Sequence, residues 1–155
     1  MKKVLALLLS VIFATNLATA VAAGDFDRQI KARQATMQLY AFNLGILGAM
    51  AKGDMDYNAD QASAAAADLQ ALANLNGGAM WPQDSDMAKN PGITWAKPDI
   101  WTTYPKIAEK SKALKEATAK MAAAAGSGID GIRTNIGAVG GSCKSCHDDF
   151  RAPKN

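Results

Sequence analysis

The chain has 155 residues and a formal net charge of +3, with hydrophobic residues making up 49% of the sequence and charged residues 20%. This length is enough for one domain with one hydrophobic core. No basic stripe interleaved with aromatic residues is present, which argues against nucleic acid as a partner. Alanine is abundant and runs of β-branched residues are few, so the composition favours an all-α fold.

The first residues have the pattern of an export signal. Lys2 and Lys3 precede an apolar stretch, and small residues follow near position 20. A membrane anchor would need about 20 apolar residues, and this stretch is shorter. We therefore predict a signal peptide over residues 1–22, cleaved between 20 and 24, and one soluble periplasmic domain over residues 23–155 with no membrane insertion. Cleavage removes two lysines and no acidic residue, which lowers the net charge from +3 to +1.

Two helices are predicted in the first half of the domain. Apolar residues recur at helical spacing over about residues 26–50, and the helix breaks at Lys52-Gly53-Asp54. Asn58 is a suitable cap for a second helix, which Asn76-Gly77-Gly78 ends. A long connection rich in glycine, proline, aspartate and tryptophan then runs to about residue 97.

Two further helices follow. The third covers about residues 99–125, and Pro105 leaves two starts open for it: Asp99, or Pro105 itself after a separate short turn opened by Pro98. Its shared stripe comprises Trp101, Tyr104, Ile107, Leu114, Thr118 and Met121. The seam of the fourth helix comprises Ile129, Ile132, Ile136, Val139, Cys143, Cys146 and Phe150. Short breaks and one long crossover predict an antiparallel four-helix bundle.

The segment Cys143-Lys144-Ser145-Cys146-His147 holds every cysteine and the single histidine of the chain. C-x-x-C-H is the attachment signature of a c-type haem. Thiols three residues apart on a helix can add to both vinyl groups of one porphyrin, and the histidine can bind the iron. We predict one haem c, attached through Cys143 and Cys146, with His147 as the proximal ligand of its iron. Because the cysteines lie on the seam, the haem is expected against the bundle interior.

Other uses of these residues are less consistent with the sequence. A thiol–disulfide oxidoreductase has a strand before its C-x-x-C within a βαβ pattern, and no strand precedes Cys143. A structural zinc site needs four ligands, and only three are present. A disulfide between Cys143 and Cys146 would close too short a loop to stabilise much. A haem-free dithiol protein stays as an alternative that a red colour of the purified protein would exclude.

The chain resembles the class II cytochromes c, the group of cytochrome c′ and cytochrome c-556, whose haem motif lies at the C-terminus. The resemblance rests on Lys31-x-Arg33-Gln34-x-x-Met37, on Pro98-Asp99-Ile100-Trp101 and on residues 141–148. Their order and spacing extend it over essentially the whole mature chain. It implies a possible homodimer through the first two helices, where the alanine-rich stretch of residues 63–67 would permit close approach. A tightly packed bundle within one chain explains that stretch equally well.

The resemblance also implies roles for residues of the first helix. Arg33 corresponds to an arginine beside a haem propionate, and Gln34 adjoins it. A guanidinium can pair with a carboxylate through two parallel hydrogen bonds, although a solvated helix arginine is the plain alternative. Met37 corresponds to the residue that covers the distal side of the iron. Trp95 and Trp101 resemble aromatic residues near the porphyrin edge, and core filling also explains them.

Met37 separates two functions. A methionine thioether on the iron gives six-coordinate, low-spin haem with a raised potential, which suits electron transfer. A distal residue that only crowds the iron leaves it five-coordinate and high-spin, open to nitric oxide, carbon monoxide or other small gases. We expect Met37 to be the sixth ligand and the protein to exchange single electrons with periplasmic redox proteins, without acting as an enzyme. The alternative is a gas-binding cytochrome c′.

Overall fold

The computed structural model describes residues 26–153, and the predicted signal peptide with its cleavage site lies outside them. The helices are α1 (Asp27–Lys52), α2 (Ala59–Ala73), the short α3 (Asp99–Thr102), α4 (Tyr104–Ala124) and α5 (Ile129–Phe150). Within this range, the only strand-like pairing is an isolated bridge between Ala96 and Arg151. The predicted all-α four-helix bundle is confirmed. None of the helices in the described range is long and apolar enough to cross a membrane.

The long helices pack in the ring order α1, α2, α4, α5, and neighbours run antiparallel. At one end of the bundle, Arg133 Nε of α5 donates to the carbonyl of Ala51 near the end of α1, at 3.1 Å. We call this end, with the α1–α2 and α4–α5 turns, the turn end. The opposite end, with the starts of α1 and α4, the connection of residues 74–98 and the C-x-x-C-H motif, is the motif end.

Local sequence explains most helix boundaries. The left-handed residue Gly53, with φ of 85°, ends α1, and the Asn58 side chain accepts a hydrogen bond from the Gln61 amide at 2.9 Å to cap α2. Pro105 lies in the first turn of α4, so the third predicted helix is split and its long part begins at Tyr104.

Tyr104 is a correction to the predicted stripe of the third helix. Its side chain is 71% exposed. The backbone of Thr103 leaves the helical region, with φ of −120° and ψ of 49°, so the helical phase that starts at Trp101 does not continue into α4. Of the residues that follow on that stripe, Thr118 and Met121 are buried, and Ile107 and Leu114 are partly buried.

The apolar core belongs mainly to the middle of the bundle and the turn end. Its fully buried large side chains are Leu47, Met50, Leu69, Met121, Ile132 and Val139. Ala62, Ala65 and Ala66 of α2 let the neighbouring helices approach closely. Burial of each large apolar side chain contributes roughly 2 kcal/mol. The predicted seam of α5 is confirmed by its buried residues Ile132, Val139 and Phe150.

Candidate haem-binding site

The last turns of α5 place the motif residues at the motif end. Cys143 and Cys146 are partly buried free thiols, and burial raises the pKa of both. His147 is exposed, and the pKa of its imidazole is lowered by partial desolvation and then by the nearby Arg151. A lowered pKa keeps the imidazole neutral near pH 7, which is the form that binds a metal ion.

A solvent-open depression of about 420 Å³ lies beside the histidine. It is lined by Lys97, His147, Asp148, Arg151, Ala152 and Pro153. The side of the motif that carries the predicted iron ligand therefore has access to solvent.

The face of α1 opposite the motif carries Arg33, Met37 and Tyr40, which helical periodicity places on one side. The phenol of Tyr40 is close enough to Cys143 for the two groups to interact electrostatically, and burial followed by Cys143 raises the pKa of Tyr40 to about 12. This electrostatic influence indicates that the Tyr40 side of α1 is turned towards the motif. Met37, one turn before Tyr40, is 42% exposed.

Arg33 is buried, with 3% of its surface exposed, so a solvated arginine is excluded. Its Nη1 donates to the carbonyl of Met80 at 3.2 Å and to Oγ of Ser85 at 2.7 Å. Its Nη2 donates to the carbonyl of Ser85 at 2.5 Å and to Oγ1 of Thr94 at 3.1 Å. Arg33 thus holds the irregular connection against α1.

Aromatic rings complete this part of the site. The guanidinium of Arg33 lies 4.5 Å from the ring centre of Trp81, and the indole of Trp101 donates to the Trp81 carbonyl at 3.1 Å. The two indole rings are 6.5 Å apart. Burial lowers the pKa of Arg33 to about 10, and the carboxylate of Asp86 opposes this shift. Trp81 was not predicted as a site residue, and its only signal in the sequence is that it is a large aromatic residue within the connection.

Gln34 and Trp95, two further residues predicted near the haem, take part in hydrogen bonds that involve main-chain carbonyls of the connection. Gln34 Nε2 donates to the carbonyl of Ile93 at 2.8 Å, so Gln34 and Arg33 both fasten the connection to α1. The carbonyl of Trp95 accepts a hydrogen bond from the Ala152 amide at 2.8 Å, which links the connection to the end of α5.

Two lysines of α4 form a contact with the motif that sequence reasoning missed. Lys110 Nζ donates to Ser145 Oγ at 2.5 Å and lies 3.0 Å from Oδ2 of Asp149. Lys106 Nζ is 3.3 Å from the same carboxylate oxygen. The hydrogen bond from Lys110 is the largest cause that holds the pKa of Asp149 below its ordinary value. The sequence shows only that Lys106 and Lys110, four residues apart, lie on the same side of α4. It does not show which neighbouring helix that side faces.

The residues of the motif end fit a porphyrin. Its buried polar side chains are Arg33, Ser85, Asp86, Asn90 and Thr94, beside the buried apolar Ile30, Ile100 and Phe150. Further apolar and thiol side chains stay partly uncovered, namely Met37, Tyr40, Trp81, Trp101, Cys143 and Cys146. Such an end has apolar surface for a porphyrin face, two thiols for its vinyl groups and a guanidinium beside the space. Residues 26–153 contain no group of three or more histidine, cysteine, aspartate or glutamate side chains that could hold a metal ion. The zinc interpretation therefore gains no support.

Comparison with known proteins agrees with this chemistry. The family model described as Cytochrome C′ matches residues 28–151. A curated cytochrome c′ of Cereibacter sphaeroides is 38% identical over 147 residues, which cover 95% of this chain and 97% of the relative. A solved cytochrome c′ from Rhodobacter superposes with a TM-score of 0.80 at 38% identity, over 84% of this chain and 99% of that one.

A second solved structure concerns ligand binding. It is a ferrous variant of the cytochrome c′ from Alcaligenes xylosoxidans with bound nitric oxide, 31% identical, with a TM-score of 0.69 over 81% of this chain and 94% of that one. The extent of these matches shows that the chain belongs to the cytochrome c′ family, the class II cytochromes c, and that it carries haem c on Cys143 and Cys146.

Proposed function

We propose that this protein carries single electrons in the periplasm, with His147 as the proximal ligand of the haem iron and Met37 as the sixth. Bound haem c supplies a one-electron couple between ferric and ferrous iron. The residues of the chain decide whether the iron is closed by a side chain or open to added ligands. The position of Met37 on α1 is the observation that carries the proposal.

Met37 lies between two covered neighbours on the motif-facing side of α1. Arg33 is buried and Tyr40 is half-buried beside Cys143, whereas Met37 is 42% exposed. A large apolar side chain left uncovered at this place has free space beside it on the side where the haem is attached. A thioether there can donate to the iron, which favours low-spin haem and raises its potential.

Arg33 and Gln34 support the proposal from the connection side. The four hydrogen bonds that Arg33 makes with the described residues start from Nη1 and Nη2, so a propionate could accept from its Nε–H. A buried guanidinium needs an anionic or strongly polar neighbourhood, and a propionate would supply the charge. Gln34 fixes the adjacent turn of α1 against Ile93 and thereby helps to hold Arg33 in place.

The proposed physiological setting follows from the sequence. The predicted signal peptide of residues 1–22 would direct the domain of residues 23–155 to the periplasm, where other redox proteins would donate and accept the electrons. Electron transfer of this kind needs no substrate and no acid–base pair, so we do not propose an enzyme. A homodimer through α1 and α2 is part of the same proposal.

Absorption spectra test the sixth ligand directly. Oxidised and reduced protein would be recorded before and after addition of carbon monoxide or nitric oxide. We expect sharp α and β bands in the reduced protein and no change on adding gas. Met37→Leu should become high-spin and should respond to gas, because leucine keeps the bulk of methionine but offers no sulfur ligand. Met55→Leu is the matched control, since Met55 is 38% exposed but lies at the turn end.

The second candidate is a five-coordinate cytochrome c′ that binds nitric oxide or carbon monoxide. The relative with bound nitric oxide favours it, as does the incomplete covering of Met37. A broad high-spin spectrum of the unmodified protein that shifts on adding gas would replace electron transfer with this function. In that case Met37→Leu would leave the spin state unchanged.

A further inference from the structure

The contact between α4 and the motif places charge next to one of the two attachment cysteines. Lys110 touches Ser145, the residue before Cys146, and Asp149, the residue three positions after it. The Lys110 side chain is only 24% exposed, so water screens its charge less than that of a surface lysine.

The charges of this network do not cancel. Lys106 and Lys110 both pair with the single carboxylate of Asp149, which leaves one positive charge in excess at the α4–α5 contact. The neighbouring pair of Lys144 and Asp148, at 2.6 Å, is exposed and neutral as a pair. The excess therefore stays beside the Cys146 attachment point.

A positive charge at this position acts differently on the two oxidation states of haem. Reduction adds one electron, so ferric haem carries one more positive charge than ferrous haem. A fixed positive charge nearby repels the ferric form more strongly, and this differential effect is larger where water is partly excluded. The result is a higher reduction potential.

We propose that the positive charge of Lys110, held beside Cys146, raises the reduction potential of the haem. Ser145 and Asp149 fix the ammonium group at this position. The backbone around this turn is fixed independently, because Lys97 Nζ donates to the carbonyls of Asp148 and Asp149 at 3.2 and 3.1 Å. The role applies whether Met37 binds the iron or leaves it open.

A spectroelectrochemical titration of the haem-loaded protein tests the proposal, with dithionite supplying the one electron that each ferric haem takes up. Lys110→Met should lower the midpoint potential, and Lys110→Arg should restore most of it because arginine keeps the charge. Lys112→Met is the matched control, since Lys112 lies on the same helix, is 79% exposed and pairs only with Glu116, at 3.9 Å. Its potential should stay at the wild-type value.

Asp149→Asn separates charge from structure. This variant breaks the same ion pair as Lys110→Met but removes a negative charge, so the potential should rise instead of fall. Shifts of the same sign in both variants would mean that the network acts only through structure and would overturn the proposal. A shift for Lys110→Met no larger than that for Lys112→Met would do the same. If Lys110→Met fails to yield haem protein, Asp149→Asn decides alone, and a potential that does not rise refutes the electrostatic role.

Discussion

Different kinds of contact stabilise the two ends of the bundle. At the turn end, the apolar cluster is continuous and alanines bring α2 close to its neighbours. The hydroxyl of Tyr57 joins the two turns there, since it donates to the Ala125 carbonyl and accepts from the Gly128 amide, both at 2.9 Å. At the motif end, by contrast, the interior is mixed: the polar side chains Arg33, Ser85, Asp86, Asn90 and Thr94 are buried there, and so are the apolar side chains Ile30, Ile100 and Phe150.

This difference shows which end of the bundle forms its hydrophobic core from protein side chains alone. The turn end buries its large apolar side chains fully, so hydrophobic burial stabilises it without any other group. The motif end leaves Met37, Cys143 and Cys146 partly uncovered and fixes its connection through hydrogen bonds. A bound porphyrin would supply the missing apolar volume there. The haem would then be part of the core of one end and not of the other.

Removal of the haem should have the largest effect and should act on one end. In Cys143→Ala/Cys146→Ala, covalent haem is lost completely, and we expect amide exchange to accelerate in residues 74–98 and in the last turns of α5. Exchange in the buried middle of α2 should change much less, because Leu69 and its neighbours keep their contacts. Hydrogen exchange with mass spectrometry measures both regions at once.

Ser142→Ala is the control for the cysteine variant, since its hydroxyl bonds only to the local Ala138 carbonyl at 2.9 Å. Equal acceleration at both ends of the double cysteine variant would contradict the division of the core described above.

Leu69→Ala tests the turn end and the middle of the bundle. Leu69 is fully buried, and its truncation leaves a cavity, so we expect a loss of about 3 kcal/mol in the free energy of unfolding. The haem absorption spectrum should not change. Leu75→Ala, at a side chain that is 50% exposed, should cost less than about 0.5 kcal/mol. Urea denaturation gives the stabilities, and an altered spin state in Leu69→Ala would show that the two ends are coupled.

Arg33→Met tests the polar contacts of the motif end. The substitution removes four hydrogen bonds and takes the guanidinium donor away from the carbonyls of Met80 and Ser85, which should cost about 2 kcal/mol. The hydroxyls of Ser85 and Thr94 keep their bonds to the Pro82 carbonyl and the Ala96 amide. Arg33→Lys should not restore the stability, because an ammonium group cannot reproduce the planar fork. Arg28→Met, at an exposed position of the same helix, is the control. Urea denaturation that finds Arg33→Met as stable as this control would mean that the connection does not depend on Arg33.

The sequence predicts the helices and the C-x-x-C-H motif better than the contacts of the long connection, for physical reasons. Helical periodicity identifies the buried seam of α5 because packing there follows the repeat of the helix. The C-x-x-C-H motif is predictable because its chemistry is contained in five consecutive residues. Local signals also indicate the Asn58 cap and the break at Pro105. The prediction for Tyr104 fails because the helical period of Trp101 does not continue past Thr103, where the backbone leaves the helical conformation. Periodicity alone cannot detect such a break between two helices.

The partners of Arg33 were not predictable from the sequence. Ser85 and Thr94 lie in an irregular connection without a repeat, more than 50 positions along the chain, so no spacing rule relates them to Arg33. The contact between Lys110 and Ser145 has the same origin, since it depends on how α4 and α5 rotate against each other. Such contacts come from tertiary packing and are seen only in the folded structure.

Tyr40 gives the smallest predicted effect and tests how closely α1 packs on the motif. Burial, followed by Cys143, raises the pKa of Tyr40 to about 12, and burial, the larger cause, remains after Cys143 has become a thioether. Between pH 10 and 12 the unfolded chain therefore loses the phenolic proton while the folded protein keeps it, so this contribution to stability is present below pH 10 and is lost as the pH rises to 12. Because the ring is only half-buried, the loss should be on the order of 1 kcal/mol.

Tyr40→Phe should lose less stability than the wild type between pH 8 and pH 11 in urea denaturation, whereas Tyr104→Phe, at a residue that is 71% exposed, should follow the wild type. Lysines that titrate in this range are present in all three proteins and cancel in the comparison. An identical pH dependence in Tyr40→Phe and the wild type would mean that the haem opens this face of α1 to water, and the motif end would then be less closed than the partial burial of Tyr40 indicates.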